Sequence, residues 1–142
     1  DAGCSTDLVK AALGRVPLFG VCLGHQALVA ALGGEVGPAG SIVHGRASTL
    51  RREPHSLFEG LPTDLEVGRY HSLAAVRVPA ELDVIARHGS IVMAVAHRSA
   101  PAWGVQFHPE SILTVHGARI LANVLGLAGV AGQGSIFEHG AP

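Results

Sequence analysis

One five-residue stretch restricts this sequence more than any other: Gly20-Val21-Cys22-Leu23-Gly24. It ends a short, nearly unbroken apolar run, residues 16–21 (VPLFGV), and precedes residues 25–32 (HQALVAAL), which have helical composition and close at Gly33-Gly34. Strand, tight turn, helix is the context in which G-x-C-x-G reads as a nucleophile elbow. Small flanking residues let the backbone turn sharply and hold the cysteine above the strand ends. The positive end of the following helix favours thiolate, and the amide of Leu23 points toward a developing oxyanion. The bland alternative is that Cys22 is a small buried hydrophobe, the commoner fate of a free cysteine. Cys4, the other cysteine, lacks such a context and reads as inert.

A catalytic thiol needs an imidazole to hold its proton, and the imidazole needs a carboxylate or amide to fix its tautomer. Gln106-Phe107-His108-Pro109-Glu110-Ser111 supplies both types at a strand end. His108 is the candidate base, Glu110 two residues on is its orienter, and Pro109 stiffens the link between them. Nine histidines occur. His44, His55, His88, His97, His116 and His139 are taken as surface or packing residues, and His25 as a support of the turn. No H-E-x-x-H or C-x-x-C spacing is present, so neither a metal nor another cofactor is expected.

The chain has 142 residues, enough for one core, and 48% of them are apolar against 15% charged. That balance suits an α/β domain whose central strands are covered on both faces. A formal net charge of -1 carries no electrostatic footprint for nucleic acid or anionic membrane. No apolar run is long enough for a membrane helix, and two cysteines make no disulfide framework, so a reducing, cytoplasmic setting is expected. Residues 1–5 read as loop, 7–13 as a short helix, 35–50 as short strands and 51–62 as an irregular crossing with a helical turn near 56–59. Strands are predicted over 65–70, 74–78, 83–87, 91–96 and 102–107, and a closing helix over 114–127.

The stretches G-V-C-L-G-H-Q (20–26) and G-V-Q-F-H-P-E-S (104–111), in that order, closely resemble class I glutamine amidotransferase domains. The resemblance implies a flavodoxin-like fold, an open and mostly parallel sheet flanked by helices. It assigns residues 1–127 to that domain and leaves 128–142 as a flexible tail. Within the family, Arg69-Tyr70-His71-Ser72-Leu73 and residues 108–113 look like the chorismate-utilising branch, the glutaminase parts of anthranilate and aminodeoxychorismate synthases. Residues 44–48 (HGRAS) are similar to that branch's H-G-K-T-S pattern and are a candidate partner contact, an exposed connecting loop being the alternative.

By that resemblance Cys22 would attack the side-chain amide of L-glutamine, His108 would pass protons and Glu110 would hold His108. Leu23, Gln26, Ser72 and Leu73 match positions that meet bound glutamine. Ammonia would pass to a chorismate-binding synthase, fused or separate. The family also carries earlier strands and a glycine-rich P-G-P-G loop that gives a second oxyanion donor, and nothing here matches them. Residues 1–4 resemble sequence just after that loop, so this chain alone is expected to be a poor glutaminase beside a longer parent. An α/β-hydrolase thiol enzyme expects its acid well before the late histidine, whereas Glu110 follows His108. A non-catalytic or regulatory module with the same fold stays open.

Overall fold

The structure, a computed structural model, describes residues 2–39, 46–71, 73–129 and 137–139. Helix α1 (Ala2–Ala12) leads to strand β1 (Leu18–Val21), helix α2 (Leu23–Ala31) and β2 (Glu35–Pro38). Next come β3 (Arg46–Arg52), a 3₁₀ turn (Ser56–Phe58), β4 (Asp64–Arg69), β5 (Leu73–Arg77), β6 (Leu82–His88) and β7 (Ile91–His97). Strand β8 (Ala102–Val105), helix α3 (Gly117–Leu127) and β9 (Phe137–His139) complete the described chain.

Seven strands form one sheet in the order β4-β3-β6-β7-β8-β1-β9, and β2 pairs with β5 apart from it. The α/β class holds, with helices on both faces. Alternation along β1 decides which side chain goes where: Phe19 and Val21 join the cluster that holds Ile120 and Val124 of α3. Leu18 joins the opposite cluster with Val9 of α1 and Leu28 and Val29 of α2. Burial on both faces is why β1 and β8 carry no exposed residue.

The implied mostly parallel pairing is confined to β1, which has β8 on one side and β9 on the other. The four pairings between β4 and β8 are antiparallel. Connection length explains this: β6 and β7 are joined through Gly89 at φ 58°, and a turn that short permits only a hairpin, whereas a parallel neighbour needs a crossover.

Three boundaries differ from the sequence reading. Helix α1 begins at Ala2, in residues expected to be loop, because small residues there do not oppose a helix whose Val9 is buried against α2. Helix α3 begins at Gly117 rather than 114, because Thr114 and Val115 are held by β4 and the loop after β8. In the expected tail, residues 137–139 pair with the open edge of β1; residues 130–136 and 140–142 lie outside the described residues. Among the described residues no helix is long and apolar enough to cross a membrane.

Candidate active site

Cys22 joins β1 to α2 at φ 56° and ψ −102°. Among the described residues it alone combines a side chain with positive φ. Such a conformation costs about 1–3 kcal/mol and persists where the surroundings over-determine it. Here the Cys22 N–H donates to the Val105 carbonyl at 2.8 Å, and the Cys22 carbonyl accepts from the Gln26 N–H at 3.0 Å. The flanking glycines are needed for contact as well as for turning: a Cβ on Gly20 would lie 2.5 Å from the carbonyl carbon of Gly24. The elbow anticipated from G-x-C-x-G is therefore built by strand β8 as much as by the motif itself.

Cys22 is 8% exposed and borders a cavity of about 670 Å³. Leu23, Gln26, Leu73, His108 and Glu110 line the same cavity, with Tyr70, His71, Ser111 and Ile112 completing its wall. Six of the seven residues expected at the site thus meet in one place; the seventh, Ser72, lies outside the described residues. Burial pushes the Cys22 thiol above its ordinary range. The Leu23 amide and the Gln106 side chain oppose that, while the Glu110 carboxylate adds to it.

His108 is fixed at its backbone before its ring does anything. Its N–H donates to the Gly68 carbonyl at 3.1 Å, and its carbonyl accepts from Thr114 Oγ1 at 2.6 Å. The same Oγ1 accepts from the Gly68 N–H at 2.9 Å, so one buried hydroxyl ties the loop to β4. His108 Nδ1 lies 2.7 Å from Glu110 Oε2. An ionised carboxylate only accepts, so Nδ1 carries the proton and Nε2 keeps its lone pair. Tyr70 meets the imidazole edge to face, 5.1 Å between centroids at 88°, and its hydroxyl reaches Ser111 Oγ at 3.1 Å.

Two polar groups escaped the sequence reading as individuals. Gln106 is fully buried and stands between Gln26 and Cys22. His71, also buried, accepts at Nε2 from Arg69 Nε (3.0 Å), which leaves the ring proton on Nδ1 to be donated to the Leu73 carbonyl at 2.7 Å. Burial holds His71 below the ordinary imidazole range against that bond, and the Arg69 guanidinium lowers it further. Their only sequence signal was position inside G-V-Q-F-H-P-E-S and R-Y-H-S-L. Four other histidines have structural work. His25 is fully buried against Gly104, His55 accepts from the Leu57 N–H, His97 accepts from the Ala100 N–H and His88 bonds the Thr49 carbonyl. His44 lies outside the described residues.

The family model for glutamine amidotransferase class-I matches residues 1–127. Anthranilate synthase component 2 of Vibrio parahaemolyticus is 44% identical over 125 residues, 88% of this chain and 64% of that protein. The pyocyanine-specific anthranilate synthase component 2 of Pseudomonas aeruginosa is 50% identical over 126 residues, 88% of this chain and 62% of that protein. Aminodeoxychorismate synthase of Streptomyces griseus is 54% identical over 111 residues, 78% of this chain but 15% of that much longer protein. The chain therefore spans just under two thirds of the length of the component 2 relatives it matches. A solved structure assigned to a GMP synthase from Thermoplasma acidophilum shares the fold at a TM-score of 0.82 and 24% identity, covering 90% of this chain and 64% of that one. Since the family match takes in the elbow, the H-P-E segment and every strand between them, the chain belongs to the class I glutamine amidotransferases.

Proposed function

We propose that this chain carries the glutaminase centre of a chorismate-utilising synthase, of the anthranilate or aminodeoxychorismate kind. The observation that carries the reading is the convergence of Cys22 with the His108–Glu110 pair on one cavity, walled by Gln26 and Leu73. In the reaction, Cys22 sulfur attacks the side-chain amide carbon of L-glutamine as His108 Nε2 takes the thiol proton. The Leu23 N–H faces the oxyanion, and the proton on His108 passes to the leaving nitrogen, so that ammonia departs as the C–N bond breaks and a thioester remains. Water, its proton taken by His108, then splits the C–S bond to give glutamate and restore the thiol. Glu110 keeps His108 in the tautomer that exposes Nε2 throughout.

Gln26 donates through Nε2 to the Leu73 carbonyl and to Gln106, both at 3.1 Å, so its carbonyl oxygen is the group left for the ligand. Ammonia made in this cavity would pass to a chorismate-binding synthase, on a separate chain or a fused domain, consistent with the names of the relatives. A free thiol at the centre suits a reducing, cytoplasmic setting. The test is mass spectrometry after incubation with a chloroketone analogue of glutamine. One adduct on Cys22 is expected in the native chain, and none in Cys22→Ser; an adduct on Cys4 instead would overturn the assignment.

A further inference from the structure

We infer that the side-chain amide of Gln106 is a hydrogen-bond donor to the Cys22 sulfur, locked in that orientation by Gln26, and that it favours the thiolate during attack. The proposal rests on the glutaminase reading for its purpose, but the geometry stands without it. A carbonyl oxygen only accepts, so the Gln26 atom 3.1 Å from the Leu73 carbonyl is the nitrogen. That same nitrogen lies 3.1 Å from the Gln106 side chain, and its second proton needs an acceptor there, which fixes Gln106 Oε1 on the Gln26 side. Gln106 Nε2 is thereby turned to Cys22 Sγ, 3.5 Å away. The reverse orientation would set two nitrogens against each other and aim an oxygen at the sulfur. His71 steadies the far end, because its Nδ1–H shares the Leu73 carbonyl with Gln26.

Gln106 and Gln26 are 0% and 7% exposed, so water does not compete for these donors. A donor to an anionic acceptor gains strength as charge develops, and a buried one needs no reorganisation at that moment. The groups facing the sulfur include two that titrate, His108 and Glu110 from the loop after β8, with Tyr70 and His71 on the opposite wall. Arg69 lies behind His71, and His25 is buried behind the elbow on α2. Glu110 opposes the thiolate; Gln106 and the Leu23 amide are the neutral groups that support it.

The experiment is the rate of Cys22 alkylation by iodoacetamide against pH, a reaction that needs no glutamine site and so fails or succeeds independently of the chloroketone labelling. Gln106→Met keeps the length and removes the donor. Its profile is expected to move up by about one pH unit, a rate about tenfold lower at a fixed pH below the midpoint. If Gln106 only fills space, Gln106→Met leaves the profile where it was, and that result overturns the proposal. Should substitution at Gln106 prevent folding, Gln26→Met releases the amide from its lock; an upward shift there supports the proposal, and an unmoved profile refutes it.

Discussion

Acid should unfold this protein partly through one imidazole that takes no part in the proposed chemistry. His25 is fully buried on α2, and neither ring nitrogen has a well-formed hydrogen bond; the Gly104 backbone lies alongside and compensates only in part. Burial pushes its pKa from 6.5 down to about 4, and nearby His71 adds to the depression. The folded state therefore binds this proton less readily than the unfolded chain. Stability from His25 is fully present above pH 6.5, drains as pH falls toward 4, and does not change further below that. At about 1.4 kcal/mol per pH unit the whole span amounts to about 3 kcal/mol, a large share of the stability of a small domain. His25→Leu removes the titration and, since no well-formed hydrogen bond is lost, costs about 1 kcal/mol at neutral pH. Urea unfolding of both proteins from pH 7.5 to 4 should show the native chain losing about 3 kcal/mol more than the variant. His55 and His71 are also depressed by burial, but both remain in the variant and cancel in the comparison. Parallel curves for the two proteins would refute the reasoning.

Gly20→Ala should destabilise the chain by about 1–3 kcal/mol, because the new Cβ meets the Gly24 carbonyl at 2.6 Å and backbone cannot step aside as a side chain can; urea unfolding measures it, and chloroketone labelling of Cys22 should slow with it. Thr114→Val should cost about 2–4 kcal/mol by leaving the Gly68 N–H and the His108 carbonyl unpaired, while Thr114→Ser should recover most of that loss in the same unfolding assay.

The sequence made the elbow readable because its signal is local, even though Val105 of β8 helps to hold it. An apolar run, two glycines and a helical stretch lie within residues 16–32, and the strand and helix stand there with ends shifted by about two residues. His108 and Glu110 were legible for the same reason, being two residues apart. What stayed hidden depends on residues far away in the chain. Gln106 and Gln26 are 80 residues apart, and nothing in either local stretch states that their amides meet under the sulfur. Gly104 is another case: as a letter of G-V-Q-F it is mute, yet a Cβ there would lie 2.8 Å from His25 Nδ1. The pairing of residues 137–139 with β1 was also unreadable, since a Gly- and Ala-rich stretch offers few large side chains to announce a strand.

The burial of Cys22 bears on how the proposed reaction must begin. Desolvation and the Glu110 charge raise its thiol, and the two neutral donors do not fully offset them, so at neutral pH the resting sulfur keeps its proton. An ion pair of thiolate and imidazolium, formed before substrate arrives, would then be the minor state. His108 must accept the proton as the sulfur closes on the amide carbon, which makes its tautomer a condition of the first step. Glu110 thus acts in two opposing ways: its charge disfavours the thiolate, while its bond at 2.7 Å holds His108 ready and stabilises the imidazolium that forms. Those effects fall on different states. The repulsion acts on the sulfur before attack and vanishes once the sulfur is bonded to carbon, whereas the attraction persists for as long as His108 carries two protons. In the proposed reaction, then, one carboxylate would hold the imidazole ready through its bond while its charge helps keep the resting thiol protonated.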